Sequence, residues 1–93
     1  MAIDRRILLG RRVRRLRKER GWLQIDLAEH TGLTPTYISE IEKARRDIQF
    51  DTLGKLADGF EIDLGEMLLH LHQEEEVPKA PRHGKRKPKP PNY

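Results

Sequence analysis

The stretch LQIDLAEHTGLTPTYISEIEKARR, Leu23 to Arg46, carries the reading on which the rest of the chain depends. It sets one small residue, Ala28, one glycine, Gly32, and two isoleucines, Ile38 and Ile41, at fixed intervals, then ends on the basic residues Lys43, Arg45 and Arg46. Leu27 and Ala28 give a short helix, about Gln24 to Thr31, an inward face. Gly32 ends that helix, because glycine enters the left-handed region without steric cost. Thr34-Pro35 then starts a second helix. The threonine oxygen can accept from the first free amides, and proline is already set for the first helical position. This helix runs to about Lys43, with Ile38 and Ile41 facing inward.

Two short helices joined in this way make a helix-turn-helix when the second is held across the first and can enter the major groove of DNA. Ala28 lets the helices cross closely, Gly32 makes the turn, and the isoleucines grip the core. Each feature alone is common by chance. The four together, flanked by Leu27 and Leu33, are a specific pattern.

Outside this pair, Leu9, Val13 and Leu16 recur at helical spacing and predict a helix from about Asp4 to Arg20, closed by Gly21. Arg11, Arg12, Arg14, Arg15 and Lys18 fill its other faces and point around the helix, so they cannot all face one surface. Asp51 is expected to cap a fourth helix carrying Leu53, Leu56, Ala57 and Phe60 on one face. Asp63 is expected to cap a fifth, LGEMLLHLHQ, burying Leu64, Met67, Leu68 and Leu71, with Glu74-Glu75-Glu76 as its solvated end. The expected fold is all-α: a compact five-helix domain over residues 1–76. The segment VPKAPRHGKRKPKPPNY, residues 77–93, holds five prolines and six basic residues and offers almost nothing to bury, so a disordered tail is expected there.

A chain of 93 residues has room for one modest core. Cysteine is absent, which excludes disulfides and thiolate metal sites. No apolar run approaches the ~20 residues of a membrane helix. No signal peptide is expected, and a soluble, cytoplasmic protein with no membrane partner follows. The net charge of +4 conceals an asymmetry: +7 over residues 1–20, −9 over 21–76 and +6 over 77–93. Separate basic blocks around an acidic middle suit a polyanionic partner, although helix-surface arginines can also simply solubilise. Catalysis is not expected. Ser39 has no evident histidine and acid partners, and there is no glycine-rich phosphate loop. On a continuous helix His70 and His72 would point about 200° apart and could not share a metal. No cofactor is expected.

The residues LRKERGWLQIDLAEHTGLTPTYISEIEKARR followed by DTLGKLADGFEIDLGEML resemble the lambda-repressor-like helix-turn-helix regulators of the Cro/cI or Xre type, over roughly residues 7 to 71. The resemblance implies a DNA-binding transcriptional regulator. It implies that Gln24 contacts a phosphate, that Pro35, Thr36, Tyr37 and Glu40 lie at base edges, and that Lys43, Arg45 and Arg46 contact phosphates. It also implies that Arg17 pairs with Glu42. Thr34 reads first as a cap whose helix end can also lie against phosphate. Glu40 can accept from cytosine N4 or stand as a solvated acid. Leu23 replaces the family's usual Ser or Thr before the glutamine, Lys43-Ala44 its common Asn-Gly, and Glu61 a frequent glycine. A homodimer on an inverted repeat is the expected working form, with Leu64, Leu68 and Leu71 either forming its interface or covering the core. The competing expectation is an antitoxin or bridging factor of the same fold, whose main partner is a protein.

Overall fold

The computed structural model describes residues 4–75. Its elements are α1 (Arg5–Glu19), α2 (Gln24–Thr31), α3 (Pro35–Glu42), α4 (Phe50–Phe60), α5 (Leu64–Leu68) and a 3-10 helix (Leu71–Glu75), so every element among the described residues is helical. The expected boundary at residue 76 and the tail at 77–93 lie outside the described residues.

Local chemistry explains most boundaries. Asp4 caps α1, its carboxylate accepting from the Arg6 amide at 2.8 Å. At the other end Gly21, at φ 73°, donates to the Lys18 carbonyl while Trp22 donates to that of Arg17. This is a Schellman closure, which satisfies two carbonyls that the last turn leaves free. Leu23 has no oxygen with which to cap α2. Instead Asp26 accepts from the Leu23 amide at 2.8 Å, which is half of a capping box. Thr34 caps α3, its Oγ1 accepting from the Tyr37 amide at 3.0 Å.

The same closure ends α3 and α4 without a glycine. Ala44, at φ 58°, and Glu61, at φ 61°, occupy the left-handed position that Gly21 holds after α1. Arg45 and Ala44 donate to the carbonyls of Glu40 and Ile41, and Ile62 and Glu61 to those of Ala57 and Asp58. The turn geometry therefore survives where glycine is missing, with strain on two side-chain-bearing residues.

The core joins α1, α2, α3, α4 and α5 through Leu9, Val13, Leu27, Ala28, Ile38, Ile41, Leu56, Ala57, Phe60 and Met67. The closest crossings fall on glycines that the sequence pattern did not single out. A Cβ on Gly10 would stand 2.6 Å from the Ile41 carbonyl oxygen, so α1 and α3 meet there backbone to backbone. On Gly59 it would meet Thr31 Cγ2 at 2.6 Å, where α4 crosses the end of α2. A glycine inside a helix costs about 1 kcal/mol relative to alanine, and that cost was the available signal of close approach.

Three expectations are corrected. Asp51 does not cap α4: Gln49 is the capping residue, without a side-chain bond, and Asp51 lies in the first turn. The expected fifth helix is broken after Leu68, with His70 at φ 53° between α5 and the 3-10 helix. The cause is Arg12. Buried beneath this segment at 5% exposure, it donates to the carbonyls of Met67 (2.6 Å), Leu69 (3.1 Å) and His70 (3.0 Å). These carbonyls turn toward a charged donor, which offsets the helical bonds forgone.

Glu74, expected to be solvated, is 7% exposed and is the acid that balances Arg12. It also accepts from Arg15 at 2.8 Å, while its carbonyl accepts from Arg11 at 3.0 Å. Burial pushes the Glu74 carboxyl up, but the hydrogen bonds from Arg15 and Arg12, with their charges, hold it below the usual carboxylate range. Among the described residues no buried side-chain nitrogen or oxygen lacks a partner.

Candidate nucleic-acid interface

The surface around α3 is built by anchoring one face of the helix and leaving the other free. Ile38 and Ile41 are fully buried, whereas Thr34, Pro35 and Thr36 are exposed and Glu40 partly so. Pro35 holds the first helical position, where its missing amide costs nothing. It offers no side-chain donor, so polar chemistry at this end belongs to Thr34 and Thr36.

Behind α3 a charged network fixes its angle. Arg17 of α1, 7% exposed, forks onto Glu42 at the end of α3, with Nε to Oε2 at 2.7 Å and the second nitrogen to Oε1 at 3.0 Å. A further Arg17 nitrogen donates to the Trp22 carbonyl at 2.8 Å, just before α2. Gln24, at the start of α2, donates from Nε2 to Glu42 Oε1 at 3.1 Å. One carboxylate thus binds α1, α2 and α3 together. Because a carboxamide nitrogen carries two hydrogens, Gln24 keeps a second donor.

The outer face of α3 carries a second network. Tyr37 points its hydroxyl toward Thr52 of α4, at 3.4 Å, and its ring lies under the guanidinium of Arg46, 4.8 Å from the ring centre. Arg46 Nε also donates to Glu40 Oε1. The loop after α3 is therefore folded back over the helix. Lys43 and Arg45, beside it, are exposed and have no acidic partner among the described residues.

The structure thus gathers Gln24, Arg17 and Glu42 into one cluster, Tyr37, Glu40 and Arg46 into another, and leaves Thr36, Lys43 and Arg45 open to solvent. The sequence pattern missed the joining of Arg46 to Tyr37 and Glu40. Only the spacing of Tyr37 and Glu40, one turn apart on α3, hinted at a shared face.

Two other expected features fall elsewhere. Leu64, Leu68 and Leu71 are partly buried against the core, while Leu69 is exposed. The chain is not helical at His70, so the angle that a continuous helix would set between His70 and His72 does not apply. Their rings meet edge to face with centres 6.0 Å apart. No group of three or more His, Cys, Asp or Glu among the described residues is placed to hold a metal. No helix among them is long and apolar enough to cross a membrane.

Comparison with known proteins agrees with this architecture. A helix-turn-helix family model (HTH_3) matches residues 13–67. The chain is 33% identical over 66 residues to the "Neisseria hypothetical transcription factor" of Neisseria meningitidis, covering 71% of this chain and 62% of that protein. It is 32% identical over 66 residues to the HTH-type transcriptional regulator y4dJ of Sinorhizobium fredii, covering 86% of that protein. By contrast it spans only 12% of the Mycobacterium tuberculosis regulator PrpR, at 37% identity. Among solved structures, the restriction-modification controller protein C.AhdI from Aeromonas hydrophila superposes with a TM-score of 0.64 at 31% identity, covering 67% of this chain and 94% of that one. With more than half its length matched by the family model and its two short helices, turn and core arranged as described, the chain belongs to the HTH_3 helix-turn-helix family, of DNA-binding regulators rather than enzymes.

Proposed function

We propose that the protein is a cytoplasmic, sequence-specific transcriptional regulator that binds double-stranded DNA as a homodimer, with α3 in the major groove. The observation that carries this reading is the division of α3 into a fully buried inner face, Ile38 and Ile41, and an outer face of Thr36 and Glu40 beside the exposed cations Lys43 and Arg45. Thr36 and Glu40 read base edges. Tyr37 lies between them against the groove wall. Gln24, with its second amide hydrogen, the capped helix end at Thr34-Pro35, and Lys43, Arg45 and Arg46 hold the phosphates on either side.

One domain of this size spans few base pairs. Two copies related by a two-fold axis would present their reading helices ~34 Å apart, one turn of DNA, and select an inverted repeat. A repressor role fits the chain's 34% identity over 56 residues to the "Immunity repressor protein" of Bacillus phage phi105. The basic segment 77–93 adds phosphate contacts without base information.

Selection of bound sequences from a random DNA pool at stated salt tests the reading. Thr36→Ala and Glu40→Ala are expected to change the preferred bases, each lost contact being worth about 1–3 kcal/mol of discrimination. Gln24→Ala is expected to weaken all sites alike. Unchanged profiles in both α3 variants would overturn the reading. A second reading, in which a protein is the main partner, is supported by Leu23 and Ile25, exposed at 66% and 52% at the start of α2. It predicts that Ile25→Lys abolishes partner binding and leaves DNA binding intact.

A further inference from the structure

Arg46 makes contacts that a phosphate anchor does not need. Its guanidinium carbon stands 4.8 Å from the centre of the Tyr37 ring and its Nε donates to Glu40, although its side chain is half exposed. The Tyr37 hydroxyl in turn stands 3.4 Å from that of Thr52. The loop that delivers Arg46 is itself fixed in register, because Ala44 and Arg45 donate to the carbonyls of Ile41 and Glu40. Six residues beyond Glu40, Arg46 is thereby returned to the outer face of α3.

An unpaired carboxylate on a surface that meets DNA is repelled by the phosphates. Glu40 is relieved of this by an adjacent cation that bonds Oε1 and neutralises the acid while leaving Oε2 outside that bond. That oxygen keeps its capacity to accept from a base amino group. We infer that Arg46 is a positioning residue for base reading: it holds the Glu40 carboxylate and the Tyr37 ring in the DNA-facing arrangement and cancels the acid's charge, so that part of the sequence specificity resides in the loop after α3.

The inference rests on the proposed reading role of Glu40, and the two are separable by experiment. Arg46→Lys keeps the charge that a phosphate senses, but an ammonium lacks the planar fork that sets one nitrogen on the carboxylate while the rest of the group covers the ring. Selected-site profiles and salt titrations are measured for the full chain and for Arg46→Lys, Glu40→Ala and the double variant. Arg46→Lys is expected to keep the slope of log K against log salt while lowering discrimination by about tenfold at the base position that Glu40→Ala affects. In the Glu40→Ala background the same change is expected to have no further effect on that position.

If Glu40→Ala alters the profile and Arg46→Lys does not, the positioning role is overturned and the reading role of Glu40 stands. An unaltered profile in both overturns the two together. Equal weakening of all sequences by Arg46→Lys, with the profile intact, makes Arg46 a phosphate anchor only and likewise overturns the inference.

Discussion

Replacing Glu74 by glutamine is expected to destabilise this fold more than any surface substitution, although the residue stands in a run of three glutamates near the end of the domain. Its side chain is 8% exposed and that of Arg12 is 6% exposed, so neither charge is screened by water to the degree of a surface pair. In Glu74→Gln the Arg12 guanidinium stays buried with three carbonyl partners and no counter-charge. Breaking a buried pair on one side costs on the order of 3 kcal/mol. For a domain of this size that loss lowers Tm by roughly 10–20 °C.

The effect depends on pH with a definite sign. The folded-state carboxyl of Glu74 is held below its ordinary range, against the push of burial, by the hydrogen bonds from Arg15 and Arg12. Its contribution is therefore complete above the unfolded-state pKa of roughly 4.3 and is lost as pH falls through the lower folded value. Thermal melts of the parent and the variant should differ at neutral pH and converge in acid. A double change, Arg12→Met with Glu74→Leu, removes both charges and should recover much of the loss, since apolar replacements of buried pairs are often neutral or better. Parallel melting curves for parent and Glu74→Gln at every pH would refute the buried clasp. So would a double variant no more stable than the single one.

Three further outcomes are expected. Arg17→Ala leaves Glu42 buried with Gln24 as its remaining side-chain partner, and should cost about 3 kcal/mol in denaturant unfolding; an unchanged midpoint would show that the pair does not form in solution. Ala44→Gly and Glu61→Gly relieve left-handed strain of about 1–2 kcal/mol against an unfolded-state entropy cost of about 0.5–1 kcal/mol, so each should raise stability by roughly 0.5–1 kcal/mol, while Gly21→Ala should lower it; a drop in Tm for both glycine variants would contradict the closures described. A chain cut after Glu76 should keep its base preferences and bind every duplex more weakly, with the log K against log salt slope shallower by up to about 5, and parallel salt lines for cut and full chains would exclude a DNA role for the six cations of residues 77–93.

Patterns of local origin were legible in the sequence. The pair α2–α3 was set by Gly32, Thr34-Pro35 and the isoleucine spacing, all of which act within a few residues of themselves. The start of α1 and its glycine closure followed from the same short-range chemistry. Where a local signal had a competitor, the sequence reading was less secure. Asp51 looked like a cap, yet Gln49 holds that place because α4 begins two residues earlier.

Contacts between distant residues were decided only when the chain closed on itself. Nothing near Glu74 distinguishes it from Glu75. It is buried because 62 residues earlier Arg12 lies on the inner side of α1 and needs a counter-charge. Arg12 in turn meets the break in the fifth helix, where it donates to the carbonyls of Leu69 and His70. Gly10 likewise acquires its role only from the approach of α3. The tertiary structure also sorts the arginines, turning Arg12 and Arg17 inward, folding Arg46 over Tyr37 and leaving Arg45 exposed. Periodicity specifies which face of a helix is apolar, but the partner of a long charged side chain is chosen by which acids and carbonyls the packed helices bring within its reach.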